Sequence, residues 1–286
     1  MRSVVTVEEV AGGKALARFT ELPHAVHGDD PRFAPMVMAW ERYRLDRRRN
    51  PYFETGDGAL FLARRLGRPV GRIAAHIDEP GGEGRFGSWW VDDDRAVAAV
   101  LVEAARGWLG EQGCTSMEGP YTFARADEAG VQVAGHEVPG LTGRPWHPPH
   151  LAGLLEELGF EMVEDRPTWR LPATERGPEL ALDEDLPGQA GAYADPRLVL
   201  EGIAAVPDLA PALRTAGLRS AWSLAKRARA GEWDTAVVVR CTLDAALVVP
   251  ALQAAAGRAG YKEVIAPWSP EAVEPETVHR TYRLSW

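Results

Sequence analysis

The largest group of side chains able to do chemistry lies between Gly119 and His150, directly after a predicted strand. It contains phenol, carboxyl and imidazole groups, the side chains that proteins use most often to give or take protons. Tyr121 or Glu128 is the candidate acid or base, although Glu128 can equally serve to fix the loop by bonding to its backbone. The predicted catalytic residues are therefore Tyr121, Asp127, Glu128 and His136.

Candidate substrate contacts come from the same segment and from a tryptophan pair. Arg125, Trp146 and His147 lie in the segment, and Trp89 and Trp90 are adjacent in a predicted strand. Neighbouring strand residues point to opposite faces, so one indole is expected to face a cleft and the other the core. A cleft lined by tryptophan suits an aromatic or bulky apolar substrate. The alternative is that both indoles only fill the core.

Metal and nucleophile signatures are weak. His24 and His27, like His147 and His150, have His-x-x-His spacing, but neither pair has a third ligand at a suitable distance along the chain. The two cysteines form no C-x-x-C pair. We therefore predict no metal site. The sequence also lacks G-x-S-x-G, P-loop and G-x-G-x-x-G motifs, which argues against serine hydrolases, P-loop NTPases and Rossmann enzymes.

Composition narrows the class further. The chain has 286 residues, of which 45% are hydrophobic, and a formal net charge of -9. An acidic chain repels polyanions, so general nucleic-acid binding is not expected. No apolar run approaches the ~20 residues of a membrane helix, and Met1 to Gly12 lacks the order of a signal peptide. We expect a soluble cytoplasmic protein with about two domains.

Strands and helices alternate around the candidate residues, which predicts an α/β chain. In the first half, strands are predicted at 3–10, 59–64, 69–77, 85–91, 114–118 and 167–171, and helices at 14–27, 95–112 and after Pro149. In the second half, helices are predicted at 197–205, 211–230 and 245–257, and strands at 235–243, 262–266 and 279–284.

The two halves share a pattern that indicates an internal duplication. Each has two glycines and then a proline at the same spacing, and each ends in a similar strand, Thr168 to Leu171 and Thr281 to Leu284. The second copy lacks the long segment after its proline, so it is the shorter partner. We predict a first unit at 1–171, a linker at 172–196 and a shortened second unit at 197–286.

Several blocks of the first half carry a family resemblance. They are Asp29 to Pro35, Arg49 to Phe53, Phe61 to Arg64, Val70 to Ala75, Gly119 to Phe123, Asp127 to Gly130 and Val133 to Gly135. In this order they resemble a poorly characterised bacterial branch of the GNAT (GCN5-related N-acetyltransferase-like) superfamily. The resemblance covers about 19–165 and implies tandem GNAT-like units, each a twisted mixed sheet flanked by helices.

The resemblance implies transfer of an acyl group from coenzyme A to an amine. Such a donor needs backbone N–H groups at a helix start for its diphosphate. In this chain the corresponding turns, Val91 to Arg95 and Arg240 to Ala245, instead carry aspartates. A carboxylate there competes with phosphate for the same N–H groups, which argues against ordinary acetyl-CoA or other acyl-CoA binding.

Two groups of basic residues are the basis for considering a different acyl donor. The predicted helix at 211–230 carries four basic residues, Arg219, Lys226, Arg227 and Arg229. A second basic cluster is formed by Arg47 to Arg49. These residues are either a solvated basic face or a cradle for tRNA, since some paired GNAT-like proteins use aminoacyl-tRNA as acyl donor.

Three hypotheses follow. The first is an acyltransferase-like enzyme that acylates an amine of a small metabolite near Tyr121 and Glu128. The second is a GNAT-derived enzyme without coenzyme A, which does other chemistry on a metabolite in specialised biosynthesis or uses aminoacyl-tRNA. The third is a non-catalytic metabolite-binding protein.

Overall fold

A computed structural model describes most of the first half of the chain and parts of the second. The described residues are 4–33, 41–42, 44–48, 50–121, 123, 130–140, 145–174, 176–177, 224–226, 235–238, 250, 253–254, 257, 262–266, 269 and 274–286.

The chain divides into two compact units. Unit 1 comprises Met1–Pro139, Pro145–Asp165 and His279–Trp286, and unit 2 comprises Gly140–Arg144 and Arg166–Val278. The closing strand of each half thus belongs to the other half's unit. The boundaries proposed from sequence, at 171/172 and 196/197, stay a prediction, because nearly all of 172–196 lies outside the described residues.

Unit 1 begins with three antiparallel strands, β1 (Val5–Glu9), β2 (Asp57–Arg65) and β3 (Arg68–Ile77). The β2–β3 hairpin closes through Leu66 and Gly67, whose φ angles of 52° and 79° are both positive. Positive φ at both turn residues matches the right-handed twist of the flanking strands. The sequence predicts this hairpin from the strands at 59–64 and 69–77 and the turn at Leu66-Gly67-Arg68 between them.

Side-chain alternation along β2 and β3 gives the sheet two apolar faces. One face places Leu60, Leu62 and Ala74 against helix α1 (Gly13–His27). The other places residues such as Phe61 and Ile73 in the main core with helix α2 (Arg95–Glu111). The buried side of α2 consists of Val97, Ala98, Leu101, Val102, Ala105 and Leu109. The sheet is therefore sandwiched between helices.

The rest of unit 1 extends this sheet. Strand β4 (Gly84–Val91) pairs antiparallel with β3 and parallel with β5 (Ser116–Gly119), and β5 pairs antiparallel with β11 (Thr277–Ser285). Strand β6 (Val131–Ala134) pairs with β11. A 3-10 helix (Pro51–Glu54), helix α3 (His150–Glu157) and the start of β7 (Glu161–Pro172) complete the unit.

Unit 2 contains the end of β7 together with β8 (Leu224–Lys226), β9 (Thr235–Val238) and β10 (Glu263–Ala266). Strand β10 pairs antiparallel with β7 and parallel with β9, and β9 pairs antiparallel with β8. The helix predicted at 211–230 is wrong at residues 224–226, because these residues pair with β9. The apolar and basic residues there fit either element locally, and the partner strand decides between them.

The predicted fold class, mixed sheet flanked by helices, is confirmed. Within the described parts of the chain, no helix has both the length and the apolar character needed to cross a membrane.

Candidate active site

Strands β4 and β5 are paired only where they begin. Their parallel ladder joins Gly84 to Met117 and Arg85 to Glu118. The chain after β5 then stays close to β4 as far as Gly87, because Tyr121 N–H donates to the carbonyl oxygen of Phe86 at 2.7 Å and the carbonyl oxygen of Tyr121 lies against Gly87. Beyond that contact β4 continues to Val91. Two parallel strands that diverge in this way open a gap at the centre of a sheet.

A β-bulge lies at the same point. Arg72 pairs with Trp90 and Ala74 pairs with Gly87, so two residues of β4 oppose one residue of β3. Ser88, inside the bulge, has a φ of 49°. A bulge interrupts the strict alternation of side chains along a strand. For this reason Trp89 and Trp90 can both line one cavity, although alternation predicts opposite directions.

The gap contains a cavity of about 40 Å³ within unit 1, enough for two or three water molecules. Its walls come from α1 and the chain after it, from β3 and β4, and from the segments after β5 and before α3. The lining residues are Thr20, Pro23, His24, Phe33, Glu41, Arg72, Ser88, Trp89, Trp90, Pro120, Gly130, Pro145 and His147.

His147 contributes an imidazole with one defined tautomer. Its Nδ1 accepts a hydrogen bond of 3.2 Å from the backbone N–H of Gln132, so its proton must lie on Nε2 when the ring is neutral. Burial, followed by the charge of neighbouring histidines such as His279, holds the pKa of His147 well below its usual range. His147 therefore presents a neutral imidazole with an Nε2–H donor.

His24 contributes an imidazole of a different kind. It is half-buried, and it meets the ring of Phe33 edge-on at a centroid distance of 5.3 Å. Neither ring nitrogen forms a hydrogen bond with the described residues. Burial first, and then the positive charge of Arg72, lower the pKa of His24, against a smaller opposing effect of Glu41. The imidazole is therefore neutral at pH 7.

A buried ion-pair network forms one wall of the cavity. Arg44 donates to Glu41 at 2.8 Å, and Arg72 donates to the other oxygen of Glu41 at 3.2 Å. Arg72 also donates to the carbonyl oxygen of Phe19 at 2.6 Å. Burial alone would raise the pKa of Glu41, but the two guanidinium groups outweigh it and hold the pKa below its usual value. Glu41 is therefore a carboxylate.

Two of the four predicted catalytic residues, Tyr121 and His136, lie in the described parts of the chain, and neither lines the cavity. The hydroxyl of Tyr121 donates to Glu118 at 2.7 Å, and Tyr121 is not among the cavity-lining residues, whereas its neighbour Pro120 is. His136 lies behind the cavity wall, where its Nδ1 bonds to the carbonyl oxygen of His147 at 3.1 Å. Asp127 and Glu128 lie outside the described residues. The catalytic roles of all four stay predictions.

The predicted substrate contacts also divide. Trp89, Trp90 and His147 line the cavity. Trp146 is buried beside it, where its Nε1 donates to the carbonyl oxygen of His136 at 2.7 Å and Arg32 lies 4.6 Å above its ring. Arg125 lies outside the described residues. The indoles of Trp89 and Trp90 thus belong to the core and to the cavity at once.

Sequence reasoning missed Glu41 and Arg72, and it considered His24 only as half of a His-x-x-His pair. His24 carried a signal that sequence reasoning could have used, because it is a polar residue next to Leu22 and Pro23, two buried residues of α1. No local pattern marks Glu41 and Arg72, which meet across 31 residues of chain.

The start of α2 carries the carboxylate expected from sequence. The side chain of Asp94 accepts a hydrogen bond of 2.8 Å from Ala96 N–H, and Arg65 donates to its other oxygen at 2.8 Å. Burial raises the pKa of Asp92. The N–H group that a diphosphate would use at this helix start is therefore already bonded to a carboxylate.

Only some of the predicted tRNA-binding residues lie in the described parts of the chain. Arg47 donates to the carbonyl oxygen of Gly58 at 2.7 Å and pairs with Asp57. Lys226 lies on β8. Arg49, Arg219, Arg227 and Arg229 lie outside the described residues, as does the turn at 240–245.

Solved structures match the chain along nearly its whole length, and two of them have TM-scores above 0.5. A tandem GNAT protein from the clavulanic acid biosynthesis pathway covers 99% of this chain and 98% of its own, with a TM-score of 0.53 and 13% identity. The chain has a GNAT-like fold. A second match is a GCN5-related glucosamine N-acetyltransferase region of a fungal multi-domain GH3 β-N-acetylglucosaminidase. It covers 99% of this chain and 38% of its own, with a TM-score of 0.54 and 11% identity.

Sequence comparison gives two curated relatives of this GNAT-like chain. Bacterial ceramide synthase of Caulobacter vibrioides is 33% identical over 186 residues, which are 63% of this chain and 48% of that protein. Protein YghO of Escherichia coli is 30% identical over 170 residues, 56% of this chain and 42% of that protein. The chain thus spans less than half the length of these relatives. No protein-family profile matches it.

Proposed function

We propose that unit 1 transfers an acyl group to the amine of a small molecule. The observation that carries this proposal is the cavity at the divergence of β4 and β5, which is lined by a bulged strand and neutral imidazoles. The GNAT-like fold and the ceramide synthase relative support an acyltransferase-like function. Ceramide is itself an amide of a fatty acyl group and a long-chain amino alcohol, so its formation is acyl transfer to an amine.

Acyl transfer needs a hydrogen-bond donor at the position where negative charge develops on the acyl group. As the amine attacks, the carbonyl oxygen of the acyl group becomes an oxyanion, which fixed hydrogen-bond donors stabilise in a site with little water. In this proposal His147 supplies such a donor through Nε2–H, because Gln132 holds Nδ1 as the acceptor. Aromatic side chains, including Phe33 and Trp90, exclude water around the reacting atoms.

The small cavity sets the part of the substrate that it can hold. About 40 Å³ accommodates only a few non-hydrogen atoms, such as an amino group and its carbon. The remainder of the acceptor and the donor must extend outside it. The aromatic residues of the lining, Phe33, Trp89 and Trp90, favour an acceptor with an apolar or aromatic group next to the amine, which is the metabolite class expected from the tryptophan pair.

The acyl donor is the second part of the proposal. The start of α2 is one of the two turns where coenzyme A could place its diphosphate, and Asp94 does not fit that group there, because its carboxylate holds Ala96 N–H. This observation favours a second candidate, an acyltransferase whose donor is not coenzyme A. Aminoacyl-tRNA and an acyl carrier protein are donors of that kind.

Acylation assays test both candidates. The purified chain is incubated with a long-chain 2-amino-1,3-diol or with glucosamine as acceptor. The donor is acetyl-CoA, palmitoyl-CoA, palmitoyl acyl carrier protein or aminoacyl-tRNA. Mass spectrometry detects the amide. An amide made from a coenzyme A thioester supports the first candidate, and an amide made only from the other donors supports the second. If no donor yields an amide, the acyltransferase proposal is wrong.

A further inference from the structure

Two histidines, His24 and His147, line the cavity and differ in their hydrogen bonding. Gln132 N–H bonds to Nδ1 of His147, which leaves the proton of that ring on Nε2. A neutral imidazole has one unprotonated nitrogen that can accept a proton, and neither ring nitrogen of His24 bonds to a described residue. One ring can therefore only donate to the substrate, and the other can accept.

Other titratable groups in the cavity wall are less suited to accept a proton. Glu41 is bonded to both Arg44 and Arg72, which stabilise its ionised form and make it a weak base. Arg72 is itself a cation and has no lone pair to offer. Among the described lining residues, His24 is thus the basic group that can accept a proton from a substrate.

We propose that His24 is the general base that takes the proton from the acceptor amine. The inference rests on the proposed acyltransferase function. The amine nitrogen forms a bond to the acyl carbonyl carbon, and the bond from that carbon to the leaving sulfur or oxygen breaks. The proton lost by nitrogen moves to the unprotonated ring nitrogen of His24 and then passes to the leaving group, so charge and atoms balance.

The charged surroundings of His24 set the pH range in which it can act. They are Arg72 on β3, Glu41 after α1 and Glu21 on α1 itself, while the lining residues contributed by β4 are uncharged and His147 is neutral. Burial and Arg72 lower the pKa of His24 below its usual value, so the ring stays unprotonated at pH 7. A general base must be unprotonated, and activity is therefore lost only as the pH falls through that lowered pKa.

Substitution of His24 tests the assignment. With whichever donor and amine pair yields product, His24→Gln should lower kcat about 100-fold, a typical loss for a general base. It should also remove the acid limb of the kcat profile. His24→Ala opens space for a free imidazole, and added imidazole should restore part of kcat. A residue with a purely structural role would show neither the pH change nor the rescue.

Lys14→Gln is the control on the same helix, since Lys14 is exposed in the first turn of α1 and does not line the cavity. Its kcat and pH profile should match the wild type. Circular dichroism shows whether each variant folds. If the wild type forms amide while His24→Gln retains kcat within about threefold and its acid limb, His24 is not the base. If the wild type makes no amide with any pair, the proposed function itself fails, and the role of His24 fails with it.

Discussion

Gln132 and His147 are joined by two reciprocal hydrogen bonds. The backbone N–H of Gln132 donates to Nδ1 of His147 at 3.2 Å, and the backbone N–H of His147 donates to Oε1 of Gln132 at 3.0 Å. The side-chain amide of Gln132 is anchored in turn on the carbonyl oxygens of Ala134 and Gly135. The imidazole of His147 is therefore fixed in both position and tautomer at the cavity wall.

Removing the His147 donor should slow the reaction without weakening substrate binding. His147→Phe keeps a flat ring but no N–H, so kcat should fall about 100-fold while KM for the amine stays nearly constant. Steady-state kinetics on the amide product measure both constants. An unchanged kcat would contradict the oxyanion role given to His147.

Glu41→Gln should destabilise unit 1 strongly. The side chains of Glu41 and Arg72 are only 3% and 5% exposed, so solvent does not screen their interaction. The substitution leaves buried guanidinium groups without this carboxylate, which costs about 3–5 kcal/mol in the free energy of unfolding. Urea unfolding measures the loss.

An exposed ion pair provides the control for that experiment. Arg42 and Glu21 approach to 3.7 Å with side chains 60% and 54% exposed. Arg42→Gln should therefore change the free energy of unfolding by about 0.5 kcal/mol or less. Equal effects of the two substitutions would show that the Glu41 network does not contribute through burial.

Gly87 allows the chain after β5 to approach β4. A Cβ atom at this position would lie 1.6 Å from the carbonyl oxygen of Tyr121, so Gly87→Ala forces the backbone to move. The free energy of unfolding should fall by about 1–3 kcal/mol. Gly107→Ala in α2 meets no atom within 4 Å and should instead stabilise by about 0.5–1 kcal/mol. A neutral Gly87→Ala would mean that this close approach is absent in solution.

Asp94 should stabilise the start of α2 in a pH-dependent way. Asp94→Ala removes the cap on Ala96 and should cost about 1 kcal/mol at pH 7, whereas Asp93→Ala, at an exposed neighbour, should be nearly neutral. The hydrogen bond from Arg65 lowers the pKa of Asp94 below its ordinary 3.8 in the folded protein. The contribution is thus full above 3.8 and is lost as the pH falls through the lower folded value.

Urea unfolding of the Asp94→Ala and wild-type chains across this pH range checks the sign. The difference between them should shrink on acidification. A difference that grows at low pH would indicate that the carboxylic acid, rather than the carboxylate, stabilises the helix.

The parts of the fold that could be predicted from the sequence are those set by interactions between near neighbours in the chain. The β2–β3 hairpin follows from its turn at Leu66 and Gly67, and α2 follows from its cap at Asp94, because these signals act between near neighbours. The pairing of β11 with β5, by contrast, joins Arg283 to Glu118. No local propensity encodes a pairing across that separation, and the closing strands were assigned from sequence to their own halves.

The candidate site was harder to predict for the same reason. Its position near the segment after β5 was anticipated, and His147 with the tryptophan pair does line the cavity. His24 and Glu41 enter the cavity wall from α1 and the chain after it, far away in sequence. The bulge at Ser88, next to Trp89 and Trp90, appears only when β4 is paired with β3.

The central claim is that unit 1 forms an amide bond at the cavity between β4 and β5. The most direct test is mass-spectrometric detection of amide from an amine and an activated acyl donor, with wild-type and His147→Phe chains compared side by side. The account predicts amide from the wild type and about 100-fold less from the variant. Absence of amide with every donor, or equal amounts from the two chains, would contradict it.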